Sequence, residues 1–342
     1  MDKVRFGKTD LIVSRIAFGG IPIERISVSD AIGVVRGSLD LGINFIDTAH
    51  TYTDSEEKIG LAIKGVSRKS LVLASKSPAS DKKTFLEHLD LSLKRLGTDY
   101  IDIYQHHNIS SMEKYAMIMS EGGAFEGMQE AIRAGKVRFT GFSGHDINVA
   151  IKVMREGRFS TVQLGFNFID NEAAAEAIPL AREMDMGFIA MKPFGGGMLG
   201  NAKLAIKYLL QFDNIVPDPG VEKLSEMEEI AQICEAGEPF NEDDAAAIEA
   251  IIAETEGRWC HRCDYCQPCP QKVAISSILL LEKSTKRLPF KRVVKHVEHI
   301  MKTAPNCTEC RVCVPRCPYK LDIPVLVKEK LDIWDRYVEE NS

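Results

Sequence analysis

Residues 71–105 read LVLASKSPASDKKTFLEHLDLSLKRLGTDYIDIYQ. LVLAS and YIDIYQ are short apolar runs of strand length. KKTFLEHLDLSLKRLG between them carries its apolar residues at helical intervals. The segment therefore reads as strand, helix, strand, and the same unit repeats outward in both directions. RIAFGG and INFID precede it, and VRFTGFS, TVQLGF, GFIAM and NIVPD follow, giving eight strands in all. Amphipathic stretches such as SDAIGVVRGSLDLG, AFEGMQEAIRAG, NVAIKVMREG, AAAEAIPLAREMD and NAKLAIKYLLQF alternate with them. Eight such units predict an α/β fold, a parallel (β/α)8 TIM barrel with its active site at the C-terminal strand ends. Polar residues gather at those ends: Asp47, Lys76, His106, His107, Ser143, Asn167 and Lys192.

The chain has 342 residues, 45% of them apolar, and a net charge of −6. That balance gives no reason to expect nucleic acid as a partner. MDKVRFGKTDLIVSRI carries charges where a signal peptide has its apolar centre, and no run reaches membrane-spanning length. The expectation is a cytoplasmic protein with no membrane partner. In that compartment disulfides are disfavoured. Nine cysteines are present, and all but Cys234 fall within residues 260–317. Cys234 reads as a small buried apolar residue.

Several ordered segments resemble the aldo-keto reductase family: GKTDLIVSRIAFGG, GINFIDTAHTY, LVLASK, YIDIYQHH, GKVRFTGFSGH and GFIAMKP. The resemblance runs through about residue 232 and implies a catalytic set of Asp47, Tyr52, Lys76 and His107. Tyr52 would protonate a carbonyl oxygen as hydride arrives. A free phenol, with a pKa of about 10, is a weak acid for that task, and a cationic Lys76 beside it favours the phenolate. Asp47 would hold Lys76 charged, and His107 would orient the carbonyl. Strand alternation lets only one of His106 and His107 face the barrel interior, and the family spacing from Asp102 selects His107.

The same resemblance places Ser143, Gln163 and Asn167 around a nicotinamide ring, from NADPH or NADH. PDPGVEKLSEMEEI resembles the family's closing loop and helix, which grips the adenosine phosphate. Here Glu226 stands where many members carry Arg, and Ile230 where Asn is usual. A carboxylate repels a 2′-phosphate; Lys223 is a candidate substitute. MKPFGGGMLG, residues 191–200, includes Lys192, Gly195 and Gly196. It follows strand seven, where barrels of this kind carry phosphate sites. Either FMN or a nicotinamide could use its backbone amides; a plain turn is the bland alternative. NISSMEKYAMIMSEGGAF, residues 108–125, would line the mouth of the site or simply cover the barrel.

The cysteines form two runs. WCHRCDYCQPCP holds Cys260, Cys263, Cys266 and Cys269; CTECRVCVPRCP holds Cys307, Cys310, Cys313 and Cys317. Zinc sites favour two separated CxxC pairs. Three cysteines at CxxCxxC and a fourth before Pro resemble two-cluster bacterial-type ferredoxins. That resemblance implies two 4Fe–4S clusters with the fourth cysteine exchanged. Cys260, Cys263, Cys266 and Cys317 would hold one; Cys307, Cys310, Cys313 and Cys269 the other. The first run is one residue short of the usual spacing, which leaves one cluster or zinc as alternatives. The residues between and after the runs recur at helical spacing, so residues 258–342 read as an α-helical ferredoxin-like domain, with His296 and His299 on a solvated face. Residues 233–257 read as an acidic helical linker capped by Asn241.

Nicotinamide delivers two electrons, whereas a 4Fe–4S cluster accepts one. Three functions are compatible with the fusion. The first is an oxidoreductase acting on a small carbonyl or alcohol and exchanging electrons with a ferredoxin or flavodoxin through the clusters. The second is an FMN-binding electron-transfer protein. The third is a plain reductase whose clusters only stabilise the tail.

Overall fold

The computed structural model describes residues 1–255, 257–260, 266–317 and 319–341. The chain divides into one unit of Met1–Gly195 with Leu199–Phe240 and another of Gly196–Met198 with Asn241–Ser342. In the first, an antiparallel hairpin of β1 (Lys3–Arg5) and β2 (Ile12–Ser14) precedes eight parallel strands. These are β3 (Phe18–Gly19), β4 (Phe45–Asp47), β5 (Val72–Ser77), β6 (Ile101–His106), β7 (Val137–Ser143), β8 (Thr161–Gly165), β9 (Gly187–Met191) and β10 (Ile215–Asp218). They pair in sequence order. Ala17 N–H to Pro217 O (2.8 Å) and Gly19 N–H to Pro219 O (2.9 Å) join the first to the last. This is the expected (β/α)8 barrel.

The helices between the strands are α1 (Val28–Asp40), α2 (Ser55–Ala62), α3 (Lys82–Leu96), α4 (Met112–Met119), α5 (Ala124–Arg133), α6 (Ile147–Arg155), α7 (Ala177–Glu183) and α8 (Ala202–Leu210); α9 (Leu224–Ala236) follows the last strand. Local chemistry sets their ends. Asp81 Oδ1 accepts the Thr84 N–H at the start of α3 (2.9 Å), and Gly97 stops it at a left-handed φ of 64°. AAAEAIPLAREMD, residues 173–185, begins inside a 3-10 turn (Glu172–Ala174) and only then forms α7. Pro179 lacks an N–H and is tolerated only in the first turn, so the helix cannot start much earlier. The stretch 108–125 contains α4, which buries Tyr115 and Ile118.

Side chains alternate in and out along each strand. The outward set joins the helices in one large core, with Phe18, Ile46, Leu73, Tyr104 and Phe188 among its members. The inward set forms a separate apolar cluster that includes Ala17, Phe45, Ala74, Ile103, Ile189 and Val216. Phe6 from the hairpin belongs to it and meets Phe45 edge-on at 5.4 Å, closing the N-terminal end of the barrel. A side chain at Gly187 would place Cβ 2.5 Å from the Phe6 ring, so this position must be bare. One layer further along the even-numbered strands the interior turns polar. Asp47, Gln105, Gln163 and Asp218 are buried there, from β4, β6, β8 and β10. Barrel layers do come in fours from alternate strands, but branched apolar residues normally fill them.

The second unit is helical: α10 (Glu242–Thr255), α11 (Ile275–Leu279), α12 (Leu281–Thr285), α13 (Phe290–Met301) and α14 (Ile323–Asn341). Asn241 Oδ1 accepts the Asp244 N–H (2.9 Å), which caps α10 as its sequence suggests. Val273, Ile278, Leu281, Val293, Val297 and Trp334 build a small core. Cys260, Cys266, Cys269, Cys307, Cys313 and Cys317 pack against it. His296 and His299 are exposed on α13. No helix among the described residues is long and apolar enough to cross a membrane.

Candidate active site

At the C-terminal end of β4 the chain keeps the parallel ladder for three more residues: Thr48 N–H to Ala74 O (2.9 Å) and His50 N–H to Lys76 O (3.0 Å). Tight turns then carry Tyr52 over the strand ends, with Tyr52 N–H bonded to Ala49 O and Ser55 N–H to Tyr52 O, both 2.9 Å. Ser55 Oγ donates to Gly20 O (2.7 Å), tying the turn to the first barrel strand. His50 stacks on His88 of α3 at 3.8 Å. Burial, then the neighbouring His88 and Arg95, pushes His50 down to about 4, so the stack is neutral.

Lys76 is two residues beyond Ala74 on β5 and points inward. Its Nζ donates to Asp47 Oδ1 (2.7 Å) and Oδ2 (2.5 Å) and lies 5.4 Å from the centre of the Tyr52 ring. Burial opposes the ammonium, yet the Asp47 carboxylate beside it raises Lys76 above its ordinary range. It is a permanent cation at 2% exposure. His107 follows β6. Its backbone N–H binds Ser77 O and its carbonyl accepts Lys114 Nζ, both at 2.8 Å. Its ring meets Tyr52 edge-on at 6.0 Å, with Thr51 Oγ1 3.5 Å from Nδ1. The structure thus brings Asp47, Tyr52, Lys76 and His107 to one place.

His106 faces the other way, as alternation requires. It stacks on Phe85 at 5.0 Å, fully buried. Burial, helped by Lys114, pushes its imidazole down to about 3, and neither ring nitrogen finds a hydrogen-bond partner among the described residues. The native state keeps His106 neutral, whereas the unfolded chain takes up a proton below its ordinary value of about 6.5. Folding stability should therefore fall by about 1.4 kcal/mol per pH unit from this group as pH drops from 6.5 toward 3. Chemical denaturation of His106→Leu against wild type at pH 7 and pH 5 checks this. The variant should lose less stability on acidification, and parallel losses would refute the assignment.

Ser143 ends β7; its Oγ accepts the Asn108 N–H (3.0 Å) and keeps its own proton to give. Asn167 follows β8. Its Oδ1 accepts Ile169 N–H and Asp170 N–H (2.9 Å each), and its Nδ2 donates to Lys192 O (3.2 Å). Lys192 begins the glycine-rich loop at a left-handed φ of 63°, with Nζ 3.5 Å from His145 Nδ1. Gly195, Gly196 and Gly197 continue at φ of 58°, 77° and 87°. Gln163 is inside the barrel on β8. Its Nε2 donates to Asp47 Oδ2 (3.0 Å) and Asp218 Oδ2 (3.1 Å), and its Oε1 accepts Gln105 Nε2 (3.0 Å). Both of its N–H donors are held inside the barrel.

Glu226 turns back on its own helix start, where Oε2 accepts the N–H groups of Glu222 (2.8 Å) and Lys223 (3.1 Å). Ile230 is in the core. Two polar-layer residues, Asp218 and Gln105, are absent from the expected set. Asp218 was legible by the rule that found the others, since it ends the eighth strand two residues after an inward Val216.

In the second unit, Cys269, Cys307, Cys310 and Cys313 line one cavity with Val273, Ile275, Ile323 and Val327. Atoms leave about 350 Å³ unfilled there, part of it open to solvent. Burial and the three neighbouring thiols push Cys313 up. Cys269, from the first run, thus joins the first three cysteines of the second. Among the described residues no three Cys, His, Asp or Glu converge on a single-ion position. The donors lining this cavity are four thiols, the soft ligands that both iron–sulfur clusters and zinc take. Of the other predicted ligands, Cys263 lies outside the described residues, as does Pro318.

Residues 15–204 match the sequence profile of the Aldo/keto reductase family. The chain belongs to this family and is an oxidoreductase. YrpG, an uncharacterized oxidoreductase of Bacillus subtilis (strain 168), is 30% identical over 236 residues, 60% of this chain and 70% of that one. L-Galactose dehydrogenase of Arabidopsis thaliana is 28% identical over 211 residues, 56% and 65% of the two chains. The crystal structure of an aldo-keto reductase from Klebsiella pneumoniae in complex with NADPH shares the fold. Its TM-score is 0.64 at 21% identity, covering 74% of this chain and 96% of that one.

Proposed function

We propose that the barrel reduces a small carbonyl compound, or oxidises the matching alcohol, with a nicotinamide cofactor. The observation that carries this is the buried Lys76 ammonium held between the Asp47 carboxylate and the Tyr52 phenol, with His107 on the far side of the ring. A bound reduced nicotinamide supplies hydride to the carbonyl carbon. The Tyr52 hydroxyl gives its proton to the carbonyl oxygen, and the Lys76 charge stabilises the phenolate left behind. His107 donates a hydrogen bond that points the carbonyl oxygen at Tyr52. Asp47 keeps Lys76 charged and in place.

The cofactor reading rests on Ser143 and Asn167, which end adjacent strands beside the site. Gln163 contributes by fixing Asp47 rather than by touching the ring. The NADPH complex of the Klebsiella relative favours NADPH. Glu226 at the start of α9 opposes a 2′-phosphate there, so NADH remains an alternative electron donor.

We read the second unit as the seat of two 4Fe–4S clusters. One would be held by Cys269, Cys307, Cys310 and Cys313, supported by the shared cavity. The other would be held by Cys260, Cys263, Cys266 and Cys317. Such clusters supply one-electron capacity and imply a ferredoxin or flavodoxin as partner. Anaerobically purified protein tests this. It should contain about eight irons per chain and show a broad visible absorption that dithionite bleaches. Stepwise NADPH or NADH should bleach it too if the clusters exchange electrons with the barrel. Cys313→Ser should remove about half of the iron. Zinc without visible absorption overturns the cluster reading. A flavin band would instead favour the FMN form, and bleaching by dithionite alone would make the clusters structural.

A further inference from the structure

The polar layer inside the barrel holds two carboxyl groups for one ammonium. Asp47 uses both oxygens on Lys76. Asp218 ends β10 at 7% exposure, and Gln163 bridges the two carboxyls with its two N–H donors. The Gln105 amide fixes which way Gln163 faces, because it must donate to Gln163 Oε1. Asp47 Oδ2 and Asp218 Oδ2 thus flank one amide nitrogen, at 3.0 and 3.1 Å from it. Asp218 Oδ1 has no partner among the described residues. The backbone of Gly19 packs against that oxygen so closely that a Cβ there would stand 2.8 Å away.

Two ionised carboxylates beside one ammonium would leave a net negative charge in a water-excluded layer. Burial and the Asp47 charge both raise Asp218, and Lys76 only partly offsets them. Asp218 is thus the carboxyl that keeps its proton. A carboxylic acid held neutral by its site can act as a hydrogen-bond donor. The charged and titratable groups facing it are Asp47 from β4 and Lys76 from β5, with Tyr52 beyond Lys76. Gln163 from β8 is its neutral neighbour.

We propose that Asp218 is a positioning residue which, as a neutral acid, donates a hydrogen bond to Asp47 and so sets how much of the Lys76 charge acts on the Tyr52 phenol. This rests on the reductase reading above and deepens it. Each donor that Asp47 accepts weakens its pull on Lys76. The freer the ammonium, the better it stabilises the phenolate, and the lower the pH at which Tyr52 works as an acid.

The test compares wild type, Asp218→Asn and Asp218→Leu in the full chain. The first readout is the pH profile of kcat for carbonyl reduction, whose alkaline limb marks loss of the Tyr52 proton. Asp218→Asn keeps a neutral donor and should leave that limb in place, with kcat reduced less than about threefold. Asp218→Leu removes the donor. It should move the limb up by about one pH unit and lower kcat at neutral pH by about three- to tenfold, because a weaker acid passes only part of its pKa change into the rate. The second readout does not depend on activity. Infrared spectra of wild type at neutral pH should show the C=O stretch of a protonated carboxylic acid, lost in Asp218→Asn. Equal loss of kcat in both variants with unmoved limbs would mean that Asp218 only packs. Wild-type behaviour in both, or no protonated band in wild type, would also overturn the proposal. Carbonyl reduction that survives removal of the Tyr52 hydroxyl would sink the underlying reading instead.

Discussion

Replacing Tyr52 by phenylalanine should lower kcat for carbonyl reduction by about 10²- to 10⁴-fold, the range that a positioned proton donor contributes. The substitution removes one oxygen and leaves the ring. The edge-on contact with His107 at 6.0 Å and the approach of Lys76 to the ring therefore remain. Folding and cofactor affinity should change little, because the turn that carries Tyr52 is held by backbone bonds and by Ser55. The alkaline limb of the wild-type pH profile should vanish with the phenol. Steady-state kinetics with NADPH and NADH over a panel of aldehydes and ketones measures this, with a thermal melt as the folding control. Activity within tenfold of wild type would mean that the proton comes from elsewhere and that the four-residue arrangement is not the acid machinery.

Lys76→Met should be costly in two ways. It leaves the Asp47 carboxylate buried without a cation, still accepting from the Gln163 amide. Breaking a buried ion pair from one side costs about 3–5 kcal/mol, which for a domain of this size lowers the melting temperature by on the order of 10 °C. Protonating the orphaned carboxylate relieves the strain, so the gap to wild type should narrow as pH falls from 8 to 5. Adding Asp47→Asn should recover part of the lost stability, because the uncompensated charge is then gone. Carbonyl reduction should fall at least as far as in Tyr52→Phe, since the phenol loses the cation that makes it a useful acid. Melting curves of the two single variants and the double at both pH values decide the matter. A Lys76→Met protein as stable as wild type at pH 8 would show that the ammonium is not the counter-charge of Asp47.

The barrel was legible because its evidence is local. Strand and helix periods alternate along the chain, and polar residues mark the strand ends. Lys76 and Asp47 could be placed from their own neighbours. Alternation also separated His106 from His107, and the ring stacked on Phe85 bears it out. Gln163 shows where that kind of reading stops. Its strand position points it inward, but the carboxyls it meets come from β4 and β10, far away in sequence. The hairpin of β1 and β2 was missed for a related reason. Each strand has three residues, too few to show a period, and Phe6 finds its partner Phe45 only once the barrel closes. In the second unit, the likeness to two-cluster ferredoxins assigned Cys269 to the second run; that Cys269 shares a cavity with Cys307, Cys310 and Cys313 depends on the folded chain and could not be read from either run alone.

The division of the chain has a consequence for how the protein is made. Closing the barrel needs Gly220 to reach Gly19 and α9 to pack beside α1. All of those residues leave the ribosome before the first cysteine of the two runs does. The barrel can therefore finish before any of those cysteines is made. The cavity cannot be completed by the first run alone, since three of its four sulfurs are translated after α13.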